Sequence, residues 1–553
     1  MNRSKGAILG AFVTSLVLIA AGCQRTTTGG GGTAGELKAG GQIAYAQDQE
    51  QTGFNNLTSK DNLLELRNIM RQVWPYAYIT KPDFTLEPYV LDGPAKVLSQ
   101  DPFTVEWKIK KDASWEDGTP ISSDDFEYNY NMCSGKDANA DCASTSGYDL
   151  ITKFEKVDGK TVRATFAEPY AEFEGLFGDP MPPVHIAKQR NANLTEAWNT
   201  GFDSDPGISG GPYKVKEWVR GDHTTLVRND KFWGEKPRLD TIIFRAIPDV
   251  ATHTDALRND EVQLIYPDPL VDVVQQIQAI PGVTMDVNFG PTWEHIDFNF
   301  KNELLAIKEV RQAITYGIDR DAIVNALMKP ISPRAKRLDN RIFVNGQKGY
   351  EAHGKEYAKR DVAKATAAME KAGFKKGADG VYAKDGKRAS FRIRYKQPNP
   401  QREQLSQLVQ NQLKEAGIEI KIDPYGDPLS TGKVGSQGDF DLLLFAWVGT
   451  PFPASGLHQI FTTGSDSNFG QYGNPGVDRL SRLSGAEVDQ DKRFAMLNEV
   501  DQAMWEDLPN IPIFQRPVGI LAYSNKYANI KDNTTSEGIF WNSPEWGLKA
   551  TAS

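Results

Sequence analysis

Cysteine and histidine are scarce in this chain, which limits the sites that they could build. The 553 residues include three Cys and six His. The His residues lie far apart, with no two at the three- or four-residue spacing of a helical metal-binding pair. Cys133 and Cys142 lie in a polar segment with no His or further Cys nearby. The sequence therefore predicts neither a metal site nor a cofactor.

Clusters of basic residues and long apolar runs are also missing. The formal net charge is -9, and Lys and Arg form no patch that could neutralise phosphates, so nucleic-acid binding is excluded. After residue 23 no apolar run approaches the about 20 residues that a membrane-spanning helix needs. The remaining composition and length are typical of a globular protein with two or three domains.

Signatures of catalysis are few. The chain has no P-loop, no HExxH sequence and no dinucleotide-binding fingerprint. Residues 207–211, Gly-Ile-Ser-Gly-Gly, match the G-x-S-x-G pattern of hydrolases, which needs a strand before the serine and a helix after it. Here Asp205 and Pro206 precede the pattern and Pro212 begins a strand, so we interpret it as a glycine-rich turn. We predict no catalytic residue and no enzymatic activity.

The first 23 residues carry the strongest positive signal. Arg3 and Lys5 are followed by an apolar run over residues 7–20 and then by Ala-Gly-Cys. This segment resembles a bacterial lipoprotein signal, in which residues 1–22 are removed and Cys23 is lipidated. The alternative is an ordinary signal peptide with a chance Cys. Residues 23–42 are rich in Thr and Gly and are expected to form a flexible tether.

Export has a consequence for the two remaining cysteines. An even number of Cys in an exported chain most often pairs, so Cys133 and Cys142 are expected to form a disulfide that closes a small polar loop. The membrane is expected to be reached only through the lipid on Cys23.

Beyond the tether, short strands and helices are mixed. Ser123 and Asp124 are predicted N-caps of a helix that continues to residue 131, and Asp319 is the predicted cap of a helix over residues 320–327. Residues 295–300 are predicted to form a strand. This mixture indicates an α/β protein with more than one lobe.

The clearest local unit lies at residues 391–422. Apolar residues alternate over residues 391–395, recur at helical spacing from Leu405 to Leu413 before Gly417, and alternate again over residues 418–422. A strand, helix and strand in this order predict a crossover between parallel strands.

Four ordered segments give the chain a family resemblance. They are Val-Glu-Trp-Lys-Ile at 105–109 with Trp-Glu-Asp-Gly-Thr-Pro-Ile-Ser-Ser-Asp-Asp-Phe at 115–126; Gly-Gly-Pro-Tyr at 210–213 with Arg-Asn-Asp-Lys-Phe-Trp at 228–233; Phe-Asn-Phe at 298–300 with Val-Arg-Gln-Ala-Ile at 310–314 and Gly-Ile-Asp-Arg at 317–320; and Asp-Phe-Asp-Leu at 439–442, running to Trp447, with Leu-Pro-Asn-Ile-Pro-Ile-Phe at 508–514. Together they resemble the family 5 extracytoplasmic solute-binding proteins of ABC importers, the oligopeptide- and dipeptide-binding group.

The resemblance implies an architecture of two lobes joined by a hinge, of the periplasmic-binding-protein type II-like class, with an additional domain inserted in the larger lobe. Domain I is expected at residues 43–59, 205–294 and 505–553. Domain II, the insert, is expected at residues 60–204 and domain III, the second lobe, at residues 295–504. Ligand would be enclosed between the lobes by hinge closure.

Alignment to the family places ligand-binding candidates in several segments. The resemblance implies roles for Tyr266, for Trp74 and Tyr76 on a first rim, for Trp447, Val448, Gly449 and Thr450 on a second rim, and for Glu294 and His295 at a crossing between lobes. Backbone groups of a rim would pair with a peptide as an added strand does. The alternative for each aromatic residue is a place in the core.

Two of these positions depart from the family pattern. Peptide-binding relatives carry an Asp where this chain has Thr450, and that Asp pairs with the ligand's α-ammonium. A Glu of the first rim is replaced by Pro75, which lacks an N–H group. Asp268 or Glu294 could take over the recognition of an ammonium group.

The sequence thus predicts a lipid-anchored receptor, a monomer, that captures a peptide-like solute and delivers it to the permease of an ABC importer. Within the same fold the alternatives are a binder of a sugar, glycolipid or metal chelate, and an envelope sensor or assembly protein.

Overall fold

The computed structural model describes residues 37–426, 433–435 and 437–550. The predicted signal, the lipidation site Cys23 and the tether as far as residue 36 lie outside the described residues.

The α-helices whose ends the structure describes are α1 Leu64–Met70, α2 Ser123–Cys133, α3 Val184–Arg190, α4 Leu194–Thr200, α5 His253–Arg258, α6 Val271–Gln278, α7 Lys308–Gly317, α8 Arg320–Leu327, α9 Val362–Lys371, α10 Pro400–Glu415, α11 Pro453–Phe461, α12 Pro475–Ala486 and α13 Gln490–Asp507. Short 3-10 helices are Phe173–Gly175, Val250–Thr252, Gly354–Tyr357 and Ile539–Glu545.

The strands are β1 Leu37–Lys38, β2 Gln42–Gln47, β3 Tyr78–Thr80, β4 Leu86–Pro88, β5 Lys96–Gln100, β6 Phe103–Lys108, β7 Ile151–Asp158, β8 Thr161–Phe166, β9 Tyr213–Val219, β10 His223–Arg228, β11 Thr241–Ala246, β12 Leu264–Ile265, β13 Val283–Phe298, β14 Lys375–Lys376, β15 Tyr382–Lys384, β16 Lys387–Arg388, β17 Ser390–Arg394, β18 Glu419–Ile422, β19 Leu442–Val448, β20 Asn510–Ser524, β21 Tyr527–Ala528 and β22 Gly547–Lys549.

A ten-stranded sheet runs through the whole molecule. Its strand order is β18-β17-β19-β13-β20-β12-β2-β11-β10-β9. The two long strands β13 and β20 lie at its centre and pair antiparallel along most of their length. One half of β13 pairs with β19, whereas the far end of β20 pairs with β12. These two strands therefore connect one half of the sheet to the other.

Proline interrupts the central ladder where the register shifts. Phe289 lies opposite Pro517, and His295 lies opposite Pro512; shifts in register occur at both places. Proline has no N–H group to donate, so a strand keeps it only where a bulge or an edge removes the need for that hydrogen bond. The sequence of β20 thus fixes where the central ribbon is irregular.

A separate four-stranded antiparallel sheet has the order β5-β6-β8-β7, with α2 against it. Trp107 of β6 is fully buried there. Helix α2 begins one residue earlier than predicted. Its cap is Ser122, whose hydroxyl accepts from Asp124 N–H at 3.3 Å, while Asp125 accepts from Ser122 N–H at 2.9 Å. The prediction of Ser123 and Asp124 as caps was wrong because this reciprocal capping box outcompetes them.

Other local predictions are confirmed. Asp319 caps α8 by accepting from Ala322 N–H at 2.8 Å. Strands β17 and β18 flank α10 and are parallel, as the crossover required. The strand predicted at residues 295–300 is wrong at its start, since β13 already begins at Val283. The alternation of apolar residues near residue 295 could not show that the strand begins at Val283, because the pairing of β13 with β20 is irregular between these two points.

Apolar side chains of one core cluster come from both halves of the sheet, from Ala44 of β2 to Leu413 of α10. The predicted α/β class is confirmed. In the part of the chain that the structure describes, no helix combines the length and apolar character that crossing a membrane requires.

Candidate functional site

A cavity of about 450 Å³ lies where three stretches of chain meet. One wall comes from residues of the region 56–179, the opposite wall from Thr450, Pro451, Phe452 and Ser455, and a third from Ser536 and Glu537. The first wall belongs to the segment around the four-stranded sheet, and the second follows β19. The cavity is therefore a cleft between parts of the chain that are far apart in sequence.

The segment after β19 is shaped by backbone contacts. Gly449 N–H donates to Pro291 O at 3.0 Å, which ties the end of β19 to β13. The Thr450 hydroxyl accepts from Phe452 N–H at 3.1 Å and lies 3.0 Å from Phe452 O. Thr450 is exposed and lines the cleft, but its hydroxyl serves its own turn. It carries no charge for a ligand's ammonium group.

Glu172 crosses the cleft. Its Oε1 accepts from the N–H groups of Ala454 and Ser455, both at 3.1 Å, at the first turn of α11. These N–H groups have no partner within the helix, so an acceptor from outside satisfies them. Burial raises the pKa of Glu172, although these hydrogen bonds and the charge of Arg493 oppose the shift. The carboxylate thus joins two walls of the cleft.

A buried ion pair forms the third wall. Arg71 lies 2.6 Å from Glu537, whose other oxygen accepts from Thr80 N–H at 2.9 Å. The Arg71 guanidinium also lies over the Tyr76 ring, 4.5 Å from its centre. Asp179 is 3.2 Å from Arg67 and 3.7 Å from Arg71. The cleft therefore carries charges of both signs, and most of them are paired.

A second cavity of about 430 Å³ adjoins the first and shares Thr450, Phe452 and Ser455 with it. Trp293, Trp447, Val448 and Gly449 also line it. Val448 is 67% exposed, and Trp447 is half-buried. The structure therefore brings the predicted second rim together at a cavity.

The residues of β19 that line this second cavity have a strand partner on one side only. On one side β19 pairs with β13 along its whole length. On the other side β17 reaches only Leu442 and Leu443, and no other strand of the described part of the chain pairs there. Ala446, Trp447 and Val448 thus combine a cavity wall with an open backbone edge.

His295 belongs to an aromatic cluster behind Trp447. Its ring centre lies 4.2 Å from Phe445, 4.5 Å from Trp293 and 6.3 Å from Trp447. His295 is fully buried. It supports the Trp447 side of the cavity rather than lining it.

Glu294 points to the other face of β13, since successive strand residues alternate. Only 1% exposed, it binds Arg402 at 2.6 Å and Arg516 at 3.1 Å. Two guanidinium groups neutralise this carboxylate from within the protein. Glu294 is accordingly a poor replacement for the missing Asp at Thr450, and Asp268 is exposed outside both cavities.

Tyr266 lines neither the first nor the second cavity. Its hydroxyl donates to Asp532 at 3.0 Å, and its ring packs so closely on Gly519 that a Cβ there would come within 2.3 Å. Asp532 lines a third cavity, of about 650 Å³, with Asp286 and Asn288. Burial raises the pKa of Asp532 to about 6. Tyr266 therefore orients a carboxylate beside the central strands.

Trp74 and Tyr76 lie in the interior. Trp74 is fully buried, and its ring meets Phe202 edge-on at 5.1 Å. Tyr76 stacks on Tyr89 at 4.5 Å. The backbone of this rim is already used, because Pro75 O accepts from Met181 N–H at 2.9 Å and Tyr76 O from Val90 N–H at 3.2 Å. The structure does not bring either side chain to the second rim.

Cys133 and Cys142 are joined by a disulfide and line the first cavity. Ser209 is fully buried, with its hydroxyl 2.6 Å from Tyr213 O and 2.9 Å from Val73 O. A serine held in this way is part of a turn and is not placed to attack a substrate. Across the described residues, no group of three or more His, Cys, Asp or Glu side chains is arranged to hold a metal ion.

Sequence reasoning missed Arg71, Glu172, Glu174 and Glu537, which all line the cleft. None of them belongs to a motif, and each depends on contacts between distant segments.

The chain is similar to known proteins over most of its length. Residues 86–469 match the family model described as bacterial extracellular solute-binding proteins, family 5. The oligopeptide-binding protein OppA of Mycobacterium tuberculosis is 30% identical over 508 residues, covering 89% of this chain and 83% of the relative. The oligopeptide-binding protein AppA of Bacillus subtilis is 25% identical, with 96% of each chain covered.

Two solved structures extend the comparison. The periplasmic EDTA-binding protein EppA has a TM-score of 0.80 and is 28% identical, over 94% of this chain and 98% of its own. Bacillus subtilis AppA in complex with a nonapeptide has a TM-score of 0.66 and is 23% identical, over 93% and 100%. The predicted two-lobed α/β fold is confirmed by these likenesses.

Proposed function

Because the chain belongs to family 5 of the bacterial extracellular solute-binding proteins, which are receptors and not enzymes, we propose that it captures a peptide-like ligand between its lobes and delivers it to the permease of an ABC importer. The prediction that the protein is not an enzyme is confirmed by this membership. The peptide nature of the ligand, its delivery to a permease and the lipidation of Cys23 all belong to this proposal.

The open edge of β19 is the observation that carries the peptide assignment. An extended peptide would bind there by adding a strand to a sheet, with main-chain hydrogen bonds that do not depend on its sequence. The edge lines a cavity with Trp447, whose ring gives contact area to varied side chains. The adjoining cleft offers guanidinium and carboxylate groups, which suits a zwitterionic ligand better than a singly charged one.

Closure of the two lobes would occur at the central ribbon. The proposed domain boundaries place residues 283–294 in domain I and the rest of β13 in domain III. The register shifts opposite Pro517 and Pro512 fall in this region and leave it short of ladder hydrogen bonds. A bend there would make or break the contact between Glu172 and the first turn of α11.

Native mass spectrometry of the protein as purified tests the proposal. A ladder of peptide masses, released when the protein is denatured in the gas phase, is the expected result. A single non-peptide mass would contradict the peptide assignment while leaving the receptor role intact. Small-angle scattering with and without the bound ligand tests closure, because a bound ligand should compact the molecule.

The likeness to EppA supports a second candidate, a metal chelate such as Fe(III)-EDTA. The first cleft argues against it, since four carboxylates, those of Glu172, Glu174, Asp179 and Glu537, outnumber the guanidinium groups of Arg67, Arg71 and Arg493 that act on them. A polyanion would meet an excess of negative charge there. Calorimetric titration with Fe(III)-EDTA should therefore show no binding, and saturable uptake would favour this second function.

A further inference from the structure

The four carboxylates of the first cleft differ in how they are satisfied. Glu172 accepts two N–H groups of α11, and Glu537 is bound by Arg71 and by Thr80 N–H. Asp179 lies beside Arg67 and Arg71. Glu174 stands apart: among the residues that the structure describes, it makes no side-chain hydrogen bond and no ion pair.

Glu174 is nonetheless held beside the second rim. It is half-buried in the 3-10 helix Phe173–Gly175 and lines the cleft. The next residue, Gly175, packs so closely on Phe452 that a Cβ there would come within 2.9 Å of the ring. Glu174 therefore sits across the cleft from the turn that begins at Thr450, where the carboxylate of peptide-binding relatives is missing.

The negative charge of Glu174 is not fully balanced by cations of the described residues. Arg493 is the cation that acts on both Glu172 and Glu174, and it lies outside ion-pair distance of either. Glu172 and Glu174 thus share one guanidinium, on which Glu487 and Asp489 also act, and this leaves an excess of negative charge in a partly buried place. Burial raises the pKa of Glu174. Burial also raises the pKa of Tyr78, and the charge of Glu174 adds to that shift. A ligand cation would complete the balance.

We propose that Glu174 receives an ammonium group of the bound ligand, in place of the Asp that Thr450 replaces. This inference rests on the proposed function. An ammonium group could be a peptide's N-terminus or a lysine side chain; both present the same –NH₃⁺ donors to a carboxylate. Glu174 binds the ammonium group from the wall opposite Thr450, and the open edge of β19 binds the main chain of the ligand.

Equilibrium dialysis with three nonapeptide libraries tests this assignment. The first is lysine-free with a free N-terminus, the second is the same library N-acetylated, and the third is N-acetylated with one lysine at varied positions. The wild-type protein should bind the first library about 10- to 100-fold more tightly than the second, as expected for a lost charge-assisted hydrogen bond. Binding of the third library reports whether a lysine can supply the ammonium group.

Glu174→Gln should abolish the preference for the ammonium group, and Glu174→Asp should retain part of it. Glu168→Gln is the matched control, because Glu168 is an exposed carboxylate outside the cavities. Preserved preference in Glu174→Gln would overturn the assignment while leaving peptide uptake standing. If the wild-type protein took up none of the libraries, the proposed function would fail and this inference with it. Melting temperatures equal to wild type establish that the variants fold.

Discussion

Glu172 offers a direct test of how the two walls of the cleft hold together. Its carboxylate accepts from Ala454 and Ser455 N–H at the start of α11, and this contact exists only when the walls meet. Two effects change the pKa of Glu172 in opposite directions. The helix N-terminus favours a negative charge, whereas burial disfavours one. The pKa of Glu172 is raised, so burial has the larger effect.

The charge of Glu172 and its role as a hydrogen-bond acceptor can be separated by two substitutions. Glu172→Gln keeps an oxygen acceptor and removes the charge, so closure should be unchanged or slightly favoured. Glu172→Ala removes the acceptor. The N–H of Ala454 is buried and would lose its partner, whereas Ser455 is exposed and water can replace the contact. The expected cost is about 1–2 kcal/mol, mostly from Ala454, or about 5- to 30-fold in the ratio of closed to open molecules.

Small-angle scattering measures that ratio, and dialysis with the free-amine nonapeptide library measures its effect on ligand affinity. Glu168→Ala is the control for loss of a carboxylate from the same region. Equal behaviour of Glu172→Ala and this control would show that Glu172 does not hold the two walls together. If Glu172→Gln is as damaging as Glu172→Ala, the charge and not the acceptor holds the walls together.

Three other perturbations have expected outcomes. Burial raises the pKa of Asp532 to about 6 in the folded protein, above its value in the unfolded chain. The contribution of Asp532 to the free energy of unfolding should therefore fall by about 2–3 kcal/mol as pH rises from 4 to 6.5. In denaturant titrations over this range, the decrease of the free energy of unfolding with pH should be smaller in Asp532→Asn than in the wild-type protein. An unchanged slope would contradict it. Replacing Cys133 and Cys142 by Ser should lower the free energy of unfolding by about 2–3 kcal/mol, since their disulfide closes a short loop; equal chemical stability of the reduced and oxidised proteins would argue against this. Ser209→Ala should cost about 1–3 kcal/mol of stability by removing a buried, bonded hydroxyl, and ligand binding by the folded variant should be unaffected; a stability equal to wild type would be the contrary result.

The sequence allowed prediction of structure where the cause is local. Asp319 and the crossover around α10 were predicted because caps and apolar spacing act over a few residues. The second rim was located through its motif, and the structure places Trp447 and Val448 at a cavity. These features depend on neighbouring residues or on a recognisable order of segments.

Charge in the cleft could not be predicted in the same way. Glu294 was expected to be available to a ligand, yet Arg402 and Arg516 neutralise it from elsewhere in the chain. Glu174 could not be singled out from the sequence. Its distinguishing property is that it lacks a partner among the described residues, and this can be seen only in the folded structure. The pairing of Arg71 with Glu537 likewise joins opposite ends of the chain.

The shared ten-stranded sheet has a consequence for any attempt to separate the lobes. Strands β13 and β20 are each other's partners and also border the two halves, so a cut that removes either half strips a long strand of one neighbour. Each fragment would present an uncovered strand edge that can recruit other chains. The lobes are therefore not independent folding units, and truncated versions should aggregate rather than yield half-receptors.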